Sequence, residues 1–145
     1  MESLAQNFKS GKGFAFFAFL FVLLIVVDQV AKKNALDVFR NANFAFSLPL
    51  PVWLMYAVYF LVLGGLIFYA FKNYRRLNNL SFLGLTFIFA GALSNIFERI
   101  FLGSVRDFIH IVFYRWVGIY NFADFYIIIG ILVLLFADTK SKNQQ

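Results

Sequence analysis

The run YNFADFYIIIGILVLLF at residues 120–136 is almost wholly apolar, yet it carries an amide and a carboxylate near its start, at Asn121 and Asp124. It belongs to an apolar stretch from Val117 to Phe136, one of four along the chain. Such a stretch approaches the roughly 20 residues that an α-helix needs to cross a hydrocarbon core about 30 Å thick. It therefore predicts a transmembrane helix with polar groups near one end.

Three further apolar stretches run from Phe14 to Val27, from Val52 to Phe71 and from Leu80 to Phe97. The first and third need flanking residues to reach the length of a membrane span. We expect the first to be a retained anchor rather than a cleaved signal peptide, because no small-residue cleavage site follows it. The predicted fold is an all-α membrane protein with four transmembrane helices.

The composition supports this assignment, because 62% of the 145 residues are hydrophobic and only 14% are charged. A soluble domain could not cover so much apolar surface. We expect one integral membrane domain over residues 1–138, followed by a polar and disordered tail at 139–145. The net charge of +6 comes from short clusters between apolar runs, which indicates membrane topology and no nucleic-acid partner. With no cysteine, the chain has no disulfide and no thiol nucleophile.

Four spans place both termini on one side of the membrane. That side carries seven cations and the other side six, so the number of cations alone does not decide the orientation in the membrane. The seven are Lys9, Lys12, Lys72, Arg75, Arg76, Lys140 and Lys142, and the six are Lys32, Lys33, Arg40, Arg99, Arg106 and Arg115. The loop Lys72–Asn79 has three cations and no anion, whereas the opposite loops mix both signs. We therefore expect both termini and the tail in the cytoplasm.

The first and third loops share the opposite, extracytoplasmic side and contain or adjoin nearly all the unusual polar residues. Loop one, about 32–51, is long enough for short strands lying on the membrane surface. Loop three, about 98–116, alternates charged with apolar and aromatic residues, as interfacial segments do.

Asp124 is a functional candidate, because an ionisable group inside a span costs several kcal/mol by most estimates. The alternatives are a helix-bundle hydrogen bond and an interfacial anchor. Asn121 lies three residues earlier on the same helix face and can orient the carboxylate. Asn95 and Arg99 are four apart at the end of the third span, where Arg99 could hold a loop carbonyl. An isolated arginine at such a place more often snorkels to the interface.

Asp107, in loop three, gains interest from Asp124, which follows 17 residues later across the same loop-to-helix connection. Two carboxylates at low-dielectric depth cannot both ionise cheaply, so they share a proton, one acting as a base on water and the other as an acid toward a leaving amine. We interpret His110, the only histidine, as incidental. The sequence has no zinc-protease, phosphate-loop or serine-hydrolase signature, so we expect no metal and no cofactor.

Five motifs follow one another along the chain: Asp28-Gln-x-x-Lys32, Asn41-x-x-x-Ala-Phe-Ser47, Gly91-x-x-x-Asn-x-x-x-Arg99, Val105-x-Asp-Phe108 and Asn121-x-Ala-Asp124. In this order they resemble the motifs of the lipoprotein signal peptidases, also called signal peptidase II, from about residue 28 to residue 130. The chain departs from the family at Ala31, Asn43, Ser94 and Glu98, where Ser or Thr, Gly, Gly and Asp are common.

The resemblance implies an intramembrane aspartic endopeptidase of the bacterial inner membrane, with Asp107 and Asp124 as its catalytic residues. It assigns substrate-binding or supporting roles to Asp28, Lys32, Asn41, Asn95, Arg99 and Asn121. It also implies a small extracytoplasmic β-cradle from loop one and an interfacial helix in loop three. The implied substrate is a diacylglyceryl-modified prolipoprotein, cut just before its lipidated cysteine to release the signal peptide. We expect a monomer surrounded by membrane lipid.

Two other functions stay open. A small carrier would use Asp124 and Asn121 as a proton or cation site, and its activity would depend on Asp124 alone. A non-catalytic homologue would bind the lipopeptide without turning it over.

Overall fold

The computed structural model describes residues 11–43, 49–114 and 116–142. In chain order the elements are helix α1 (Gly11–Asn34), strand β1 (Phe39–Asn41), helices α2 (Val52–Lys72) and α3 (Asn79–Leu102), strands β2 (Val105–Asp107), β3 (Ile109–Phe113) and β4 (Trp116–Tyr120), and helix α4 (Phe122–Lys142). The predicted helical membrane fold with a small β region is confirmed. Lys9, Ser47, Arg115 and residues 143–145, which the predictions above also use, lie outside the described residues.

Three of the four helices, α1, α2 and α3, are long and apolar enough to cross a membrane, and α4 has a shorter apolar part, Phe122–Ala137. The bundle exposes large apolar side chains on its outside, among them Phe19, Phe60 and Phe136. Such a surface suits contact with lipid chains, where apolar exposure carries no penalty.

Close packing of α3 against α4 forms the centre of the bundle. A Cβ atom added to Gly91 would collide with the carbonyl oxygen of Ala123, and one added to Gly84 would lie 2.8 Å from the carbonyl oxygen of Gly130. Small residues allow membrane helices to approach this closely, backbone to backbone. The contact at Gly91 brings the first turn of α4 against the middle of α3.

Both ends of α3 are defined by local sequence signals. The side chain of Asn78 caps the start by accepting a hydrogen bond from the Ser81 backbone N–H, at 2.8 Å. The helix stops at Leu102 because Gly103 adopts the left-handed conformation, with φ 71°, and its N–H bonds to the Arg99 carbonyl. The chain then turns directly into β2.

Two small antiparallel sheets lie at this end of the bundle. Strand β1 pairs with β2, with Arg40 opposite Arg106, and β3 pairs with β4 in a hairpin, with Val112 opposite Val117. Because β1 belongs to loop one and β2 to loop three, the pairing confirms that these two loops meet at the same end. The β region differs from the cradle expected from loop one, because among the described residues only β1 belongs to that loop, whereas β2, β3 and β4 lie between α3 and α4.

The expectation of an interfacial helix in loop three is wrong for the described residues between α3 and α4, which form strands and turns instead. β-Branched residues recur along this segment, at Val105, Ile109, Ile111, Val112, Val117 and Ile119, and they favour a pleated strand over a helix.

Two predicted boundaries also shift in the last part of the chain. Residues 117–120, expected to begin the fourth span, pair in β4, and the helix begins only at Phe122. Residues 139–142, expected to be part of a disordered tail, continue α4 as far as Lys142.

Candidate active site

Asp107 and Asp124 meet at a small cleft where β2 approaches the start of α4. The cleft has a volume of ≈ 100 Å³, and both carboxylates line it. Asn121 joins them, since its side-chain Nδ2 donates to Asp107 Oδ1 at 2.5 Å and its backbone N–H donates to Asp124 Oδ2 at 3.1 Å. The two carboxylates proposed from sequence therefore share one hydrogen-bonding partner.

Asp124 is positioned by the way in which α4 begins. Asn121 precedes the helix and accepts a hydrogen bond from the Asp124 N–H at 3.1 Å, while Asp124 accepts one in return from the Asn121 N–H. This reciprocal arrangement is a capping box, which satisfies two backbone donors and fixes both side chains. The positive end of the helix dipole also favours a carboxylate in the first turn.

Asp28 adds a second restraint on the same helix start. Its Oδ1 atom accepts a hydrogen bond from the Ala123 N–H at 3.0 Å, and its side chain is fully buried. Asp28 lies near the end of α1, so this bond ties α1 to the first turn of α4. Asp28 therefore binds the residue that precedes Asp124, and it restrains the position of Asp124 through the backbone.

Asp107 is held between two amides on opposite sides. Its Oδ2 accepts a hydrogen bond from Asn41 Nδ2 at 3.1 Å, and its Oδ1 accepts the bond from Asn121. Burial raises the pKa of Asp107 above its ordinary value; the two amide bonds lower it, and the nearby charge of Asp124 raises it again. Burial is the largest of these influences, so the carboxyl holds its proton to a higher pH than an exposed aspartate.

Lys32 is the centre of a buried polar network beside the cleft, and only 1% of its surface is exposed. Its Nζ lies 2.7 Å from Asp28 Oδ2 and 3.3 Å from Glu98 Oε2. It also donates to Asn95 Oδ1 at 2.8 Å, and Asn95 Nδ2 donates to Asp124 Oδ1 at 2.9 Å. A chain of direct contacts therefore leads from Lys32 to Asp124.

Arg99 is buried beside the cleft rather than snorkelling outward. Its Nη2 donates to the Asn43 carbonyl oxygen at 2.8 Å, and its guanidinium lies 5.7 Å from the centre of the Tyr59 ring. Within the described chain, its Nε and Nη1 atoms have no hydrogen-bond partner. Arg99 thus holds a loop carbonyl, the first of the two roles that the sequence left open.

The structure brings all eight proposed site residues into one network, in which Asn43 links Arg99 to Asn41. It adds four side chains that the sequence analysis did not place there. Ser94 donates to Asp28 Oδ2 at 2.6 Å and accepts from Gln29 at 2.8 Å, and Glu98 bonds to Lys32 and Arg106. A usable signal was the i, i+4 spacing of Ser94 with Glu98 inside an apolar span, parallel to that of Asn95 with Arg99.

His110 lies apart from the cleft, exposed on β3, with its Nε2 3.8 Å from Asp37 Oδ2. Among the residues that the structure describes, no group of three His, Cys, Asp or Glu side chains could hold a metal ion. The polar groups of the cleft are carboxylates, amides and a guanidinium, which suit proton transfer and the binding of peptide carbonyls.

Comparison with known proteins places these features in a family. A family model described as signal peptidase (SPase) II matches residues 30–139. A lipoprotein signal peptidase from Streptococcus agalactiae serotype V is 36% identical over 141 residues, covering 84% of this chain and 90% of that protein. A lipoprotein signal peptidase from Wigglesworthia glossinidia brevipalpis is 52% identical over 58 residues, only 39% of this chain and 38% of that protein.

A solved structure described as a bacterial membrane enzyme has the same fold. Its TM-score is 0.73, and the match covers 90% of this chain and 92% of that chain at 22% identity.

Proposed function

Because the chain belongs to the signal peptidase II family and removes signal peptides from prolipoproteins, we propose that it does so as an aspartic endopeptidase with Asp107 and Asp124 as catalytic residues. The observation that carries this proposal is the pair of carboxylates on one cleft, bridged by Asn121. The sequence has no cysteine, so a thiol cannot be the nucleophile.

The charges around the cleft support a pair that shares one proton. Of the three nearby cations, Arg99 lines the cleft, and Lys32 and Arg106 lie in the adjoining network together with two further anions, Asp28 and Glu98. The cluster is neutral when the aspartate pair carries a single negative charge. A largely buried cluster with a net charge would be costly, which favours a pair that carries a single negative charge.

The reaction follows from that state. The ionised carboxylate takes a proton from a water molecule, and the water oxygen forms a bond to the carbonyl carbon of the scissile peptide. The protonated carboxyl then gives its proton to the peptide nitrogen, and the C–N bond breaks. The products are a carboxylic acid group on the signal peptide and a free amine on the lipoprotein; one aspartate has gained a proton and the other has lost one, so the pair again holds a single proton.

We further propose that the substrate is diacylglyceryl-modified and is cut just before its lipidated cysteine. Apolar side chains of Val105, Ile119, Ile127 and Ile128 line the cleft beside the aspartates. The basic turn Lys72–Arg76 lies at the opposite end of the bundle, which supports cytoplasmic termini and an extracytoplasmic site. The proposal includes a monomeric enzyme with a single membrane domain over residues 1–138.

Comparison of a lipidated with an unlipidated precursor tests this proposal. We expect the purified enzyme in lipid to release a signal peptide ending just before the cysteine. The lipidated precursor should be cut at least about tenfold faster at low concentration, because each buried methylene contributes about 0.8 kcal/mol to its membrane affinity. Mass spectrometry of both products identifies the bond that is cut. Equal rates on both precursors, or a cut elsewhere, would refute the substrate assignment.

Replacement of Asn41 by Ala should move the acid limb of the kcat/KM profile to higher pH. Asn41 donates a hydrogen bond that lowers the pKa of Asp107, so its loss raises that pKa further. The pair then needs a higher pH to reach its singly ionised, active state. Profiles of kcat/KM against pH for the wild type and Asn41→Ala measure the shift.

The matched control is Asn34→Ala, which removes an exposed amide that bonds only within α1 in the described structure. Its acid limb should coincide with that of the wild type. An acid limb that stays in place in Asn41→Ala, or moves to lower pH, would contradict the assignment of Asp107 to the catalytic pair.

The carrier and the non-catalytic homologue are less well supported. A carrier that depends on Asp124 alone gives no role to Asp107, although Asn121 bonds to both residues. A non-catalytic homologue does not require two acidic groups on one cleft.

A further inference from the structure

Glu98 is a buried carboxylate that the proposed mechanism does not use. Only 1% of its surface is exposed, and it lies in the last turns of α3. Its carboxylate accepts hydrogen bonds from the Arg106 backbone N–H at 3.0 Å and from Arg106 Nε at 2.5 Å. It also lies 3.3 Å from Lys32 Nζ on α1. One side chain thus joins α1, α3 and β2.

The first of these contacts leads directly to Asp107. Arg106 is the residue before Asp107 on β2, so the backbone bond to Glu98 fixes the position of the strand at the adjacent residue. β2 has only three residues and pairs with the equally short β1. A strand this short needs a further anchor to hold its position, and Glu98 supplies one.

The second contact leads to Asp124. Lys32, which Glu98 touches, also bonds to Asn95, and Asn95 bonds to Asp124. Glu98 therefore contacts neither aspartate of the cleft. It bonds to the residue that precedes Asp107, and three successive contacts, through Lys32 and Asn95, connect it to Asp124. Its environment suits a carboxylate, because both of its partners are cations.

We propose that Glu98 is a positioning residue, whose carboxylate holds β2 against the ends of α1 and α3 and thereby sets Asp107 in reacting geometry with Asp124. The inference rests on the proposed function of the aspartate pair. It explains how this chain, with Glu where the family commonly has Asp, uses the longer side chain to reach both the backbone and the side chain of Arg106.

Substitution of Glu98 distinguishes a side chain that only fills space from a carboxylate that holds β2 in position. If Glu98 only filled space, the isosteric amide in Glu98→Gln would leave kcat unchanged, because it keeps the volume of the side chain. Glu98→Gln keeps the shape but weakens both bonds to Arg106 and leaves Lys32 and Arg106 less compensated. The extra positive potential stabilises the ionised form of the aspartate pair. The charged groups facing this region are Asp28 and Lys32 from α1, Arg99 from α3, Arg106 and Asp107 from β2, and Asp124 from α4.

The test measures kcat, KM and the pH profile for three variants. In Glu98→Gln we expect kcat to fall between about tenfold and about a hundredfold with KM within about threefold, because misplacement of reacting groups by about 1 Å costs this much. Its acid limb should move to lower pH. Glu98→Asp retains the charge, so its acid limb should stay in place and its kcat should exceed that of Glu98→Gln.

The third variant, Arg106→Met, removes the opposite charge at a partly exposed side chain but leaves the backbone bond to Glu98. It should lose less kcat than Glu98→Gln, and its acid limb should move to higher pH, the opposite direction. This variant keeps the test valid if Glu98→Gln does not fold. The control is Asp37→Asn, which removes an exposed carboxylate near the same end of the bundle and should match the wild type.

Unchanged kcat and an unmoved acid limb in Glu98→Gln would overturn the positioning role, as would shifts in the same direction for Glu98→Gln and Arg106→Met. Failure of the proposed function would look different. In that case Asp107→Asn would still cleave, whereas failure of this inference alone leaves Asp107→Asn inactive beside a normal Glu98→Gln.

Discussion

Cleavage should fall by at least about a thousandfold when either Asp107 or Asp124 is replaced by Asn, because each variant removes one partner of the acid–base pair. The shape of each side chain is kept, and the packing of α3 on α4 at Gly91 and Gly84 is not touched. Both variants should therefore insert and fold. The measurement is the initial rate of signal-peptide release by purified protein in lipid, beside thermal unfolding in detergent.

The double variant distinguishes a pair from two independent groups. If the two aspartates act as one unit, the double variant Asp107→Asn with Asp124→Asn should cleave at about the rate of the slower single variant, because the two losses do not add. Asp37→Asn is the control for loss of a carboxylate, because that side chain is 88% exposed and lies outside the cleft. Retained cleavage in a folded single variant would exclude the aspartic mechanism.

The helices, and the end of the bundle at which the site lies, could be predicted from the sequence. Both depend on the apolar length of each segment and on the number of segments, which can be read without knowing the tertiary contacts. Apolar length predicts a span wherever it lies, and the number of spans alone puts loops one and three together. The capping box of Asn121 with Asp124 is similarly local, since the two residues are three apart. Hydrogen bonding across such a short separation depends little on the rest of the fold.

The contacts that complete the site could not be predicted in this way. Asn41 and Asp107 bond across 66 residues, and Ser94 and Asp28 also across 66. A strand of three residues such as β1 is stable only when its partner is present, so neither β1 nor β2 has a clear signal of its own. The interfacial helix expected in loop three rested on the family resemblance alone, and the β-branched residues along that segment favour the hairpin of β3 and β4 instead.

Replacement of Lys32 by Met should destabilise the folded protein by about 3–5 kcal/mol, the usual cost of removing one partner from a buried ion pair. Lys32 is buried between Asp28 and Glu98, and Met fills similar space without a charge. Asp28 would then remain buried without a cation, and Glu98 would keep only one of its two. Asn95 would also lose the donor that orients it toward Asp124. Thermal and denaturant unfolding in a fixed detergent measure the loss of stability.

Lys33→Met is the matched control, because Lys33 is the next residue on α1 but its side chain is exposed. Removal of an exposed charge usually changes stability by less than about 0.5 kcal/mol. A similar midpoint for Lys32→Met and Lys33→Met would mean that the buried network does not depend on its central cation. If Lys32→Met is destabilised while Lys32→Met with Asp28→Asn regains part of the loss, the cost lies in the unpaired carboxylate. Packing alone predicts no such recovery, since the second substitution restores no volume.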